Sequence, residues 1–105
     1  MRALFREALK VGARLVVPSG VLGQVWRNGP RQAPLRALLN GPTTAVPAMD
    51  QTLAEASGTL CGRTGTSDVI DASVVLTARR ERAIVVTSDV DDLRRLDPSL
   101  PLDRV

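Results

Sequence analysis

Of the eleven acidic residues in this 105-residue chain, six fall between positions 68 and 92: Asp68, Asp71, Glu81, Asp89, Asp91 and Asp92. Carboxylates held a few ångströms apart repel one another, and a divalent cation removes that penalty. Mg²⁺ suits such a set, because it takes a few carboxylates together with water and phosphate oxygens. A bound ion of this kind acidifies a water molecule and steadies charge developing on phosphorus. The chain has no His, which excludes imidazole acid–base catalysis, Ser-His-Asp triads and His-based zinc sites. Metal-activated water is then the natural nucleophile, and metal-dependent phosphodiester chemistry is the reaction class that these residues fit.

The acids need elements to position them. Asp68 and Asp71 are three apart and share a face in the first turn of a helix. Ile70, Val74 and Thr77 supply an adjacent apolar face that can pack on a sheet. The β-branched run Ala83-Ile84-Val85-Val86 reads as a strand, and Asp89 lies three residues past Val86, where the strand ends. Ligands of open α/β sheets sit at the carboxyl ends of strands, so Asp71 and Asp89 are expected to converge at one rim. Except for Asp71, inside the helix and beyond cap range, these acids also have a plain structural use. Ser67 or Asp68 can cap the helix, Asp89 can serve a turn, and Asp91-Asp92 with Arg94-Arg95 complement a helix dipole.

The rest of the chain alternates strands and helices. Met1 to Lys10 carries a one-sided apolar stripe that reads as a helix ending near Gly12. A short strand, Arg14 to Val17, leads through Pro18 and Ser19 into a helix striped by Val21, Leu22, Val25 and Trp26. Asn28-Gly29-Pro30 breaks it, and Leu35, Leu38 and Leu39 mark a third helix. Thr43 to Pro47 reads as a second strand. Asp50 can cap the helix that follows, with Leu53, Ala56, Ser57 and Leu60 facing inward and a turn from Gly62 to Gly65. After the acidic helix and the third strand comes a helix from Asp89 to Leu96, and Leu100 to Val105 adds an edge strand. This alternation predicts one α/β domain over residues 1–105, built on a parallel sheet with helices on both faces.

Composition narrows the partners. Apolar residues make up 44% of the chain and aromatics 2%, so the core is aliphatic and rows of stacking aromatics for nucleic acid are excluded. The net charge is +3, and thirteen of the fourteen basic residues are Arg, the side chain suited to bidentate contacts with phosphate or carboxylate. The lone Cys61 excludes an internal disulfide and fits a cytoplasmic protein. No apolar run approaches the ~18 residues of a membrane span.

Three stretches together resemble the PIN domain, and in particular the VapC-type toxins of bacterial toxin–antitoxin pairs. They are Leu15-Val16-Val17-Pro18 leading into Val21 to Trp26, Asp71-Ala72 opening an apolar helix, and Val85-Val86-Thr87-Ser88-Asp89 with Asp92-Leu93. The resemblance implies a three-layer, Rossmann-like parallel sheet flanked by helices, and a Mg²⁺- or Mn²⁺-dependent endoribonuclease. It implies Asp71, Asp89 and Asp92 as catalytic acids, with Asp71 and Asp89 holding the metal. RNA is the implied substrate, and an antitoxin protein or a second copy of the chain are the implied partners.

Two departures stand against this pattern. The family begins with a central strand that bears an Asp, and this chain opens on what resembles the helix after it, so an N-terminally truncated domain is expected. The helix after Val17 usually offers a Glu, and the matching residue is Gln24, an amide that keeps only a carbonyl oxygen for a cation. The alternative is a catalytically inactive PIN-like module that docks an antitoxin-like partner through apolar grooves near Trp26 and Leu35 to Leu39. A third reading is an unrelated α/β fold in which the acids are structural.

Overall fold

The computed structural model describes residues 14–104. The expected helix from Met1 to Gly12 lies outside the described residues. Strand β1 (Leu15–Val16) is followed by helix α1 (Ser19–Val25), a 3₁₀ turn (Pro30–Gln32), helix α2 (Ala33–Leu39) and strand β2 (Thr44–Ala45). Helices α3 (Gln51–Thr64) and α4 (Val69–Glu81) come next, then strand β3 (Val85–Thr87), helix α5 (Val90–Leu96) and strand β4 (Leu102–Arg104). The chain is therefore a mixed α/β protein, as its alternation predicts.

Helix α4 is the central element. Ala72, Ser73, Val74, Val75, Thr77 and Ala78 are all buried, so most of its circumference is covered. A helix buried nearly all round belongs in the middle of a core, and α3, α1 and α5 all pack against it. Gly20 on α1 permits one of these approaches: a Cβ there would come within 3.2 Å of Ile70 Cγ1. At its start, one Asp68 oxygen accepts from the backbone N–H groups of Ile70 and Asp71, each at 3.0 Å. Asp68, and not Ser67, is thus the cap. At its end, Arg82 adopts the left-handed conformation with φ 52° and closes the helix.

Helix α3 begins as expected, with Asp50 accepting from Leu53 N–H at 2.8 Å. It runs one turn further than its glycines suggest. Gly62 is helical, and the break comes only at Gly65, whose φ of 69° suits a residue without Cβ. Its inner face carries Ser57 and Cys61 with the half-buried Leu53 and Leu60, while Ala56 is exposed.

The strands pair in two places. β1 lies parallel to β2, with Leu15 opposite Thr44 and Val16 opposite Ala45. β3 lies parallel to β4, with Val85 opposite Leu102 and Thr87 opposite Arg104. The second pair is a strand–helix–strand unit, whereas two helices and the 3₁₀ turn separate the strands of the first. Among the described residues, the strands of the expected single sheet form two two-stranded sheets that do not pair with each other. Leu15 and Val17 direct their N–H groups to Thr43 and Ala45, and Val85 directs its own to Pro101. Alternate residues of a parallel strand face opposite neighbours, so Val16 and Val86 turn their backbone groups away from these pairings. Both sheets still share one core, in which Leu15, Val17 and Val85 cluster with Val74, Val75 and Ala78. Burying a side chain of this size contributes about 1.5–3 kcal/mol each.

No helix among the described residues is long and apolar enough to cross a membrane.

Candidate functional site

The Gly65–Asp68 turn, the start of α4 and residues of α5 line a cleft of about 410 Å³. Its lining comprises Gly65, Thr66, Ser67, Asp68, Asp71, Asp92, Arg95 and Leu96. Three of the four acids singled out in the sequence therefore share one cleft, although 24 positions separate Asp68 from Asp92.

Each acid owes its place to a local cause. Asp68 stands outside the first helical turn because its carboxylate caps it. Asp71 sits three residues on, half-buried, where α4 enters the core. Asp92 is exposed in the first turn of α5, opposite α4. Asp89 precedes α5 immediately after β3, and its N–H donates to Thr87 Oγ1 at 2.9 Å. Thr87 is fully buried, so it anchors the turn that carries Asp89. Asp89 does not line the cleft, but it lies close enough to Asp71 to act on its charge.

The electrostatics centre on Asp71. Burial, first of all, and then the carboxylates of Asp68, Asp92 and Asp89 push its carboxyl up to about 6 from the usual 3.8. A hydrogen bond with the Asp68 side chain acts in the same direction. The two causes have one meaning: negative charge at this position is costly, and a cation placed here would relieve that cost. The donors are hard carboxylate oxygens, and this is the set that Mg²⁺ or Mn²⁺ accepts. Among the described residues, no three Asp, Glu or Cys side chains already stand in ligand geometry. Mg²⁺ asks for less than that, since one or two carboxylates with waters complete its shell. The residues present fit the ion.

Gln24 is exposed on α1 and is no part of the cleft lining. Trp26 is half-buried, with the Arg36 guanidinium 4.5 Å from its ring centre. Leu35, Leu38 and Leu39 pack against the core, so they offer less free apolar surface than a docking groove asks for. Gln32 organises the break between these helices. Its Oε1 accepts from Arg27 and Asn28 N–H at 2.6 and 2.7 Å, and its Nε2 donates to Val25 O at 2.6 Å.

Sequence reasoning missed Arg95, which had an assignment to the helix dipole. Its spacing of three from Asp92 was the available signal, since it sets both side chains on one face of α5. Thr87 stands in the Val85–Asp89 stretch that the sequence singles out, but its part as a turn anchor was not read, although a strand-end Thr two residues before an Asp signals one.

No protein-family model and no curated protein matches this chain.

Proposed function

We propose that this chain is a PIN-like α/β domain whose acidic cleft serves Mg²⁺- or Mn²⁺-dependent endoribonuclease chemistry. One observation carries the reading: Asp71 holds a half-buried carboxyl among three other carboxylates, with its acidity displaced to about 6. Displacement by burial and like charge together, beside a cleft, is the pattern by which functional sites tune their acids. The order of the three matching stretches supports the family, and the two parallel strand pairs around a central helix are compatible with it.

Asp71 and Asp89 would hold the cation. When bound, the ion supplies an acidified water and stabilises charge on the phosphoryl oxygens. Asp92 stands across the cleft as a proton acceptor. Asp68 keeps the first turn of α4 in place through its two backbone hydrogen bonds, so its contribution is to position Asp71. Gln24, exposed and outside the cleft lining where a Glu is expected, favours a second reading, an inactive module that docks an antitoxin-like protein.

Cleavage of single-stranded RNA separates the two. The enzyme reading predicts cleavage that needs Mg²⁺ or Mn²⁺, stops with chelator and falls at least a hundredfold in Asp71→Asn and Asp89→Asn. Cleavage that persists in either variant contradicts these site residues. An inert parent chain favours the docking module.

A further inference from the structure

Arg95 lines the cleft together with Asp68, Asp71 and Asp92. It is three residues from Asp92 on the same helix, at the spacing where opposite charges ordinarily pair. It nevertheless forms no ion pair and no hydrogen bond among the described residues, whereas Arg14, Arg79 and Arg80 each meet a carboxylate. The Asp68 carboxylate is turned to the amides of Ile70 and Asp71, which removes one candidate partner. Among the described residues, Arg95 thus brings to the lining of an acidic cleft a five-donor fork that no carboxylate engages.

An RNA strand entering a cleft of three carboxylates meets repulsion. A divalent cation and one guanidinium together neutralise those charges, so the arginine completes what the ion begins. Guanidinium geometry matches a phosphodiester bidentately. The Thr66 and Ser67 side chains, on the same lining, add hydroxyl groups of the kind that meet phosphate oxygens.

We infer that Arg95 is a substrate-binding residue that grips an RNA backbone phosphate next to the carboxylate cluster and sets the register of the strand. This rests on the ribonuclease reading above and assigns the cleft's second half. Phosphate contacts carry no base information, so the grip is indifferent to sequence.

The test is fluorescence anisotropy of a short 5′-fluorescein-labelled single-stranded RNA, in the presence of Ca²⁺, over a range of KCl concentrations. Arg95→Gln is expected to weaken binding about fivefold for every base composition and to flatten the salt dependence by about 0.7 log units per log unit of salt, the share of one phosphate contact to a single strand. Arg95→Lys keeps the salt slope. The residue is exposed, so the melting temperature is expected to stay within 2 °C or so of the parent. Equal affinity and salt slope in parent and Arg95→Gln overturn the assignment, as does a parent chain that binds no RNA. A parent that binds RNA through Arg95 but never cleaves it contradicts the ribonuclease reading alone. A parent that cleaves RNA with the same KM and kcat as Arg95→Gln contradicts the Arg95 assignment alone.

Discussion

At the scale of the residue, Asp71 carries the account. Its folded-state value of about 6 lies above the ordinary 3.8, so the folded chain binds more protons than the unfolded chain between these values. Stability therefore falls as pH rises through that window. Asp71→Asn removes the titration. The variant is expected to be more stable than the parent at pH 7.5, by about 1 kcal/mol once solvent screening of a half-exposed group is allowed for, and to lose that advantage below about pH 4. Urea unfolding at the two pH values measures it, and a variant less stable at pH 7.5 contradicts the electrostatic picture. A group that costs stability where it stands is the trade expected at a functional site. Asp71 was legible as the acid beyond cap range, because position alone left it without a structural job. The choice between Ser67 and Asp68 as cap was not legible, since both side chains suit an N-cap and only the backbone path decides. Arg95 was hidden for a similar reason: a last-turn arginine already has a sufficient explanation in the helix dipole.

At the scale of the element, α4 does most of the positioning. Its burial follows from the apolar run Val69 to Ala78, and its existence and type were plain from that run and its cap. Its polar interior was not. Thr77 Oγ1 is buried and has no hydrogen-bond partner among the described residues, as is Ser57 Oγ on α3. An unsatisfied buried hydroxyl costs about 1–3 kcal/mol, and a same-shape apolar replacement removes the cost. Thr77→Val is therefore expected to raise stability by about 1 kcal/mol, read as a higher urea midpoint with an unchanged slope. A loss of stability on this substitution would show that the hydroxyl has a partner. Helix ends were less legible than helix centres. Gly62 was read as the start of a turn, yet a glycine inside a helix costs only about 1 kcal/mol against alanine. The break waits for Gly65, where the backbone needs a positive φ.

At the scale of the whole molecule, alternation of strand and helix was enough to name the α/β class, and not enough to name the sheet. Which strands pair depends on hydrogen bonds between residues far apart, such as Leu15 with Thr43 and Val85 with Pro101, and no local pattern encodes them. The tail shows the same limit. Leu100 to Val105 was read as an edge strand, and within it Leu102–Arg104 pairs with β3. Its approach is held by Asp97, whose buried carboxylate meets Arg79 Nη2 at 2.9 Å and accepts from Ser99 Oγ at 2.8 Å. Burial alone would raise the pKa of Asp97, and the Ser99 and Arg79 contacts overcome it and hold the carboxyl below its usual range. One chain therefore holds two acids in opposite states: Asp97 is buried, satisfied and tied into the fold, and Asp71 is half-buried among like charges that raise its pKa.

That contrast sets the most direct test, a carboxyl ¹³C titration of Asp71 with and without excess Mg²⁺. The account predicts an apparent pKa near 6 in the absence of metal and a fall toward the ordinary carboxylate range when Mg²⁺ is present, with Asp97 unmoved. An Asp71 titration that Mg²⁺ leaves in place would contradict the metal site at the centre of the proposal.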